Sequence, residues 1–93
     1  MNLLLLGRNM AIMQMGAQPI QDAGHQVTCV IEDEDAVAQL ETGNFGAFMF
    51  GFAIDQATRV TFKNLIADKQ WNIQVFEPQG LQDLPQILKL LNG

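Results

Sequence analysis

The sequence predicts an α/β fold: an open, doubly wound parallel sheet of four strands in the order 2-1-3-4. Four short apolar runs, at residues 3–6, 27–31, 45–50 and 73–76, alternate with segments long enough to be helices. No run is followed at once by a hairpin turn, so each strand has to return through a crossover. The runs are continuously apolar rather than alternating, as in strands covered on both faces. Right-handed crossovers, with helices on either face, then give the open arrangement.

The elements follow in order. MNLLLL opens like a secretory leader, but no basic residue precedes it, and Gly7, Arg8 and Asn9 end the apolar stretch after four leucines. It reads as the first strand. The next helix, over residues 10–23, is the weakest: an interior Pro19 costs about 3 kcal/mol and Gly16 up to about 1 kcal/mol. A kinked or interrupted helix is expected. The second strand, VTCVI, holds the only cysteine, Cys29, read as a buried, reduced thiol. Asp33, Glu34 and Asp35 crowd the first turn of the second helix, where the helix dipole favours negative charge, and Gly43 supplies a left-handed stop. The third strand ends at Gly51 and Phe52, and Asp55 caps a third helix over 56–69. The fourth helix, over 84–92, starts at a D-x-x-Q capping box made by Asp83 and Gln86, with Pro85 in the first turn.

Composition bounds what the fold can do. Ninety-three residues make one domain, 1–93. A chain this size buries roughly 60–65% of its unfolded surface, enough for a modest core. Net charge is −5, and the five Lys and Arg are scattered. That argues against a nucleic-acid surface and against an anionic membrane surface. One cysteine excludes an internal disulfide and fits a cytoplasmic setting. No stretch approaches the ~20 apolar residues of a membrane span.

Ligands of open parallel sheets bind beyond the carboxyl ends of the strands. The candidate ligand or interaction site therefore comprises Gly7, Arg8, Asn9, Glu32, Gly51, Phe52 and Glu77. Glycines at 7 and 51 remove side chains there and leave room for a shallow pocket. Arg8, the only base expected at this edge, either binds an anion with the following helix N-terminus or pairs with Glu32 or Glu77. Phe52 either stands exposed as a contact residue or folds back over the core.

Catalytic chemistry finds no constellation. His25, the only histidine, sits in a turn without a nucleophile beside it. Met10, Met13 and Met15 read as core packing rather than a Cu(I) site. Consecutive acids at 32–35 rarely converge on one ion, and the helix dipole already explains them. Of a dinucleotide-binding fingerprint only Gly7 is present, and the same gap rejects a Walker loop. An EIIB-type phosphotransfer site needs a cysteine directly after the first strand, where Gly7 and Arg8 stand. No enzyme activity, cofactor or metal is expected. In the last helix Leu84, Ile87, Leu88 and Leu91 share a stripe and Leu90 lies off it. That extra leucine extends a contact surface and makes a homodimer a candidate assembly.

Residues 31–51, with the stretch EDEDAVAQLETGNFGAFMFG, resemble the receiver domain of two-component signalling. An acidic turn is followed by a helix with Ala36, Val37 and Leu40, a glycine stop and a hydrophobic strand. NLLLLGRN, the turn AGH at 23–25 and VFEP at 75–78 fit more loosely. The resemblance implies a flavodoxin-like three-layer sandwich, and element order agrees along nearly the whole chain. The departures fall on the chemistry. Receivers end the first strand with an acidic pair for magnesium; this chain has Gly7 and Arg8. They end the third with the phosphoacceptor aspartate and the last with a lysine before proline; here stand Gly51 and Glu77. The Ser/Thr switch position has no counterpart, because one βα unit is missing. Aspartyl phosphorylation needs a carboxylate nucleophile and a cation. The resemblance thus implies a shortened pseudo-receiver: a non-catalytic protein-interaction or signalling-accessory module, its partner unspecified. The other class is a small-molecule or anion-binding domain using the strand ends.

Overall fold

The computed structural model describes residues 1–92, which form a parallel sheet with helices on both faces. The chain runs β1 (Asn2–Leu6), α1 (Met10–Asp22), β2 (Gln26–Val30), α2 (Asp33–Glu41), β3 (Ala47–Phe50), α3 (Gln56–Asp68), β4 (Gln74–Phe76), a 3-10 turn (Leu81–Asp83) and α4 (Leu84–Leu91). Strand order is β2-β1-β3-β4 and every pairing is parallel. This is the predicted flavodoxin-like three-layer sandwich.

The period of two along a strand divides the core. Leu3 and Leu5 face one side, joining Met13, Ala17 and Ile20 of α1 and Leu84, Ile87 and Leu91 of α4. Leu4 and Leu6 face the other, joining Ala36 and Leu40 of α2 and Phe62 and Ile66 of α3. Phe48, Phe50 and Phe62 pack edge-on or tilted with ring centroids 4.9–6.3 Å apart. Leu6 pairs with both Val30 and Phe50, so three strands end level and release the chain at Gly7, Ile31 and Gly51. That register builds the edge on which the candidate site lies.

Several expectations need correction. α1 is not interrupted: it runs as one helix through Pro19. The carbonyl that loses its donor belongs to Met15, whose side chain marks the exposed face of α1, so the group is not left in the core. The capping box does not form; the Asp83 carboxylate accepts instead from the Gln79 amide at 2.7 Å, and the 3-10 turn runs straight into α4. Of Met10, Met13 and Met15 only Met13 is in the core, while Met10 and Met15 are exposed. Cys29 is half-buried rather than buried, because β2 is an edge strand; that burial pushes its thiol pKa up. The leucine stripe is not a free dimer surface: Leu84, Ile87 and Leu91 are buried, Leu88 packs against them, and only Leu90 is exposed, at 51%. Gly43 does hold a left-handed conformation, at φ +76°, just past the end of α2. Among the described residues no helix is long and apolar enough to cross a membrane.

Candidate functional site

The strand ends are held edge to edge by their own backbone. Gly7 donates to the Val30 carbonyl at 3.0 Å and Gly51 to the Leu6 carbonyl at 2.7 Å. A Cβ on Gly51 would lie 3.1 Å from the Gly7 Cα and 3.2 Å from the Leu6 oxygen, so a side chain there requires the backbone to move. A Cβ on Gly7 would lie 2.6 Å from the Met13 side chain. The two glycines therefore allow close packing; they do not themselves open a pocket.

A cavity of about 150 Å³ nevertheless lies beside them, between α1 and the strand ends. It is lined by buried Leu5, Met49 and Leu84, by Ile12, Met13 and Gly16 of α1, and by the chain from Phe50 to Ala53 at the end of β3. Arg8 and Asn9 stand at its polar side. Gly16 explains part of the space: it is buried, yet a Cβ there would meet no atom within 4 Å. Phe52 is 40% exposed and Ile12 53%, so both present apolar surface to solvent.

Five of the seven predicted site residues line this cavity: Gly7, Arg8, Asn9, Gly51 and Phe52. Glu32 and Glu77 do not. Glu32 precedes α2 and shares a separate acidic hollow with Arg8, Asp33 and Glu34. Arg8 is paired, but with neither expected partner: its Nη2 donates to Asp33 Oδ1 at 2.8 Å and its Nη1 to the Ile31 carbonyl at 2.7 Å. Both side chains of that pair are substantially exposed, so it contributes at most about 1 kcal/mol. Asn9 caps α1, accepting from the Ile12 amide at 3.1 Å.

Glu77 faces α3. Its Oε2 accepts from Lys63 Nζ at 3.0 Å, and its Oε1 lies 3.6 Å from Arg59 Nη1. Arg8 is thus not the only base at this edge. Arg59, which the sequence reading missed, is 7% exposed and the sole buried charged residue among those described. Its Nε donates to the Ile54 carbonyl at 2.9 Å and its Nη2 to the Gly51 carbonyl at 3.2 Å, and its guanidinium lies 5.6 Å from the Phe50 ring centroid. A signal was present: Arg59, Phe62 and Ile66 follow the helical spacing of one buried face, which marks Arg59 as inward-pointing.

Asp55 lies at the same edge, at the start of α3. It caps α3 by accepting from the Thr58 amide at 3.3 Å. Hydrogen bonding from Thr58 holds its carboxyl below the usual aspartate range, and the Arg8 charge acts in the same direction. His25 lies at the opposite, amino-terminal edge, with Nε2 2.7 Å from Asn92 Oδ1 and Nδ1 3.4 Å from the Met1 amino group. Among the described residues no three His, Cys, Asp or Glu side chains gather as a metal site. Comparison with known families, with characterised proteins and with solved structures gave no match to this chain.

Proposed function

We propose that this chain is a non-catalytic, receiver-like protein-interaction module, an accessory to signalling that cannot be aspartyl-phosphorylated. The observation that carries the reading is the closure around Gly51. The position corresponding to the phosphoacceptor has no carboxylate, and a Cβ there would press on the backbone of Leu6 and Gly7 at 3.1–3.2 Å, so that backbone would have to give by a few tenths of an ångström. The nearest acid beyond β4, Glu77, already serves Arg59 and Lys63. Phosphoryl transfer needs a free carboxylate with a cation beside it. Exposed Phe52 and Ile12 at the same edge are contact residues of the type that anchors protein interfaces.

Two measurements test this. Incubation with acetyl phosphate and magnesium should leave the intact mass unchanged; a phosphorylated Asp or Glu overturns the reading. Quantitative affinity capture should recover partners that Phe52→Asp no longer holds, and identical captures from both proteins count against this edge.

The cavity itself favours a second reading, a small-molecule binder. Its volume of about 150 Å³ is below the ~300 Å³ where ligand pockets usually begin, which limits it to small, mainly apolar molecules. The anion-binding form is weakened, because Asp33 already pairs with Arg8. Native mass spectrometry separates the two: retained extra mass favours the ligand, while a bare chain favours the interaction module.

A further inference from the structure

We infer that the cavity beside α1 receives one large apolar side chain of a protein partner, and that basic residues flank that side chain. The inference rests on the interaction role proposed above and specifies the chemistry of the partner.

Size comes first. An apolar cavity of about 150 Å³ holds a group the size of benzene, which is the scale of one Leu, Met or Phe side chain. The rim comes second. Ile12 and Phe52 are 53% and 40% exposed beside the opening. A free ring-sized molecule would leave both wet, whereas the backbone flanking an inserted side chain would cover them. An anchor in a pocket, ringed by contacts that exclude water, is the usual form of an interface hot spot. Third, the polar side chains at the opening are engaged within the chain. Arg8 holds Ile31 and Asp33, and Asn9 caps α1. A free polar ligand therefore finds little there to orient it.

Charge specifies the flanks. Arg8 also borders the hollow that contains Glu32, Asp33 and Glu34, so three carboxylates face one guanidinium beside the cavity. The whole chain carries −5. With Arg59, Lys63, Glu77 and Asp55 counted as well, five carboxylates face three bases along this edge, so its charge is negative and its complement is a Lys or Arg beside the anchor residue. The same field disfavours an acidic partner.

The test is selection of a peptide-display library on the intact protein, followed by fluorescence anisotropy of the enriched peptides. Gly16→Leu blocks the cavity, since a side chain from position 16 grows into open space rather than into packed atoms. The double variant Glu32→Gln, Glu34→Gln weakens the field from exposed positions. Enriched peptides should carry a large apolar residue beside Lys or Arg. Gly16→Leu should weaken them at least about tenfold. The double variant should weaken them less and flatten their salt dependence. Should Gly16→Leu fail to fold, Ile12→Asp, at an exposed position on the rim, gives the same readout. Peptides bound equally by wild type and cavity variants overturn this inference and leave the interaction module standing elsewhere on the surface. Enrichment of acidic peptides, or none at all, overturns it too. A dimer that Gly16→Leu dissociates assigns the cavity to a second copy of the chain instead. A small molecule retained through purification, with no peptide enriched, overturns both this inference and the interaction reading.

Discussion

On one side of Gly51, α3 delivers Arg59, and every polar group it meets is satisfied: the Gly51 and Ile54 carbonyls accept from it and Glu77 offsets its charge. On the other side, α1 delivers Met13 and Gly16 and leaves about 150 Å³ unfilled. One half of the edge is polar and closed; the other is apolar and open. A strand end without a catalytic side chain still has to satisfy the backbone carbonyls around it, because buried polar groups without partners are costly. Arg59 does this and fixes the loop after β3 in place. The open half carries no such requirement, and remains available for contact with something outside the chain.

The largest expected effect breaks the closed half. Arg59→Ala leaves the Ile54 carbonyl without its side-chain donor, removes one partner of Glu77, and takes one of two donors from the Gly51 carbonyl, which keeps the Ile54 amide at 3.3 Å. Leaving a buried carbonyl unpaired costs about 1–3 kcal/mol. Glu77 is partly exposed and keeps Lys63, which moderates the loss. We expect destabilisation of about 2–4 kcal/mol by urea unfolding. A loss below about 0.5 kcal/mol, typical of an ordinary surface substitution, would remove the distinction between the halves. Next comes the seam. Gly51→Asp introduces the acid that the receiver resemblance would call for, but places its Cβ against backbone at 3.1–3.2 Å. The expected cost is about 1–3 kcal/mol, as for other overpacked sites, without gain of phosphorylation by acetyl phosphate. A stable, phosphorylatable variant would mean that the closure around Gly51 is not what denies the site its chemistry.

The two halves were unequally legible in the sequence. Strand order, the two-sided core and the gathering of Gly7, Arg8, Asn9, Gly51 and Phe52 at one edge followed from alternation and register, because parallel strands of matched length end level. The partner of Arg8 did not follow. Asp33 and Glu32 are adjacent in sequence, and choosing between them takes the geometry at the end of β2. Arg59 was hidden for a different reason. Charged residues in an amphipathic helix are read as solvent-facing, and the exception shows only when its spacing to Phe62 and Ile66 is counted. The stripe from Leu84 to Leu91 misled in the opposite sense, since an apolar stripe looks the same whether a sheet or a second molecule covers it. A shallow pocket was expected at this edge, but its wall from Ile12, Met13 and Gly16 was not, because it depends on how closely α1 approaches the sheet.

A change in the open half should have the opposite sign. Gly16→Ala adds a methyl where nothing lies within 4 Å and replaces the poorest helix former but proline in the interior of α1. A stabilisation of about 0.5–1 kcal/mol is expected. Destabilisation would mean that α1 has no slack beside Gly16, and the contrast with Gly51 would collapse. The methyl also enters the space assigned to a partner's side chain, so the gain in stability should come with weaker binding. A position selected for folding alone would favour alanine; a position kept open for contact favours glycine.

The smallest effect belongs to Asp55, at the start of α3. Thr58 and Arg8 lower its carboxyl pKa in the folded protein. The unfolded chain therefore binds the proton more tightly, and the stability that Asp55 contributes is fully present above its unfolded pKa. It is lost as pH falls through the lower folded value, in the acid range below about pH 4. Asp55→Asn keeps a cap able to accept from Thr58 but removes the charge. The stability difference between wild type and this variant should stay constant from neutral pH down to about pH 4 and diminish below it. A difference that does not change with pH would place the contribution of Asp55 in cap geometry alone. Adding Arg8→Ala sharpens the comparison. If the Arg8 charge reaches Asp55 across the opening of the cavity, the double variant should lose part of the pH dependence that hydrogen bonding from Thr58 leaves intact, and high salt should erase that same part in the wild type.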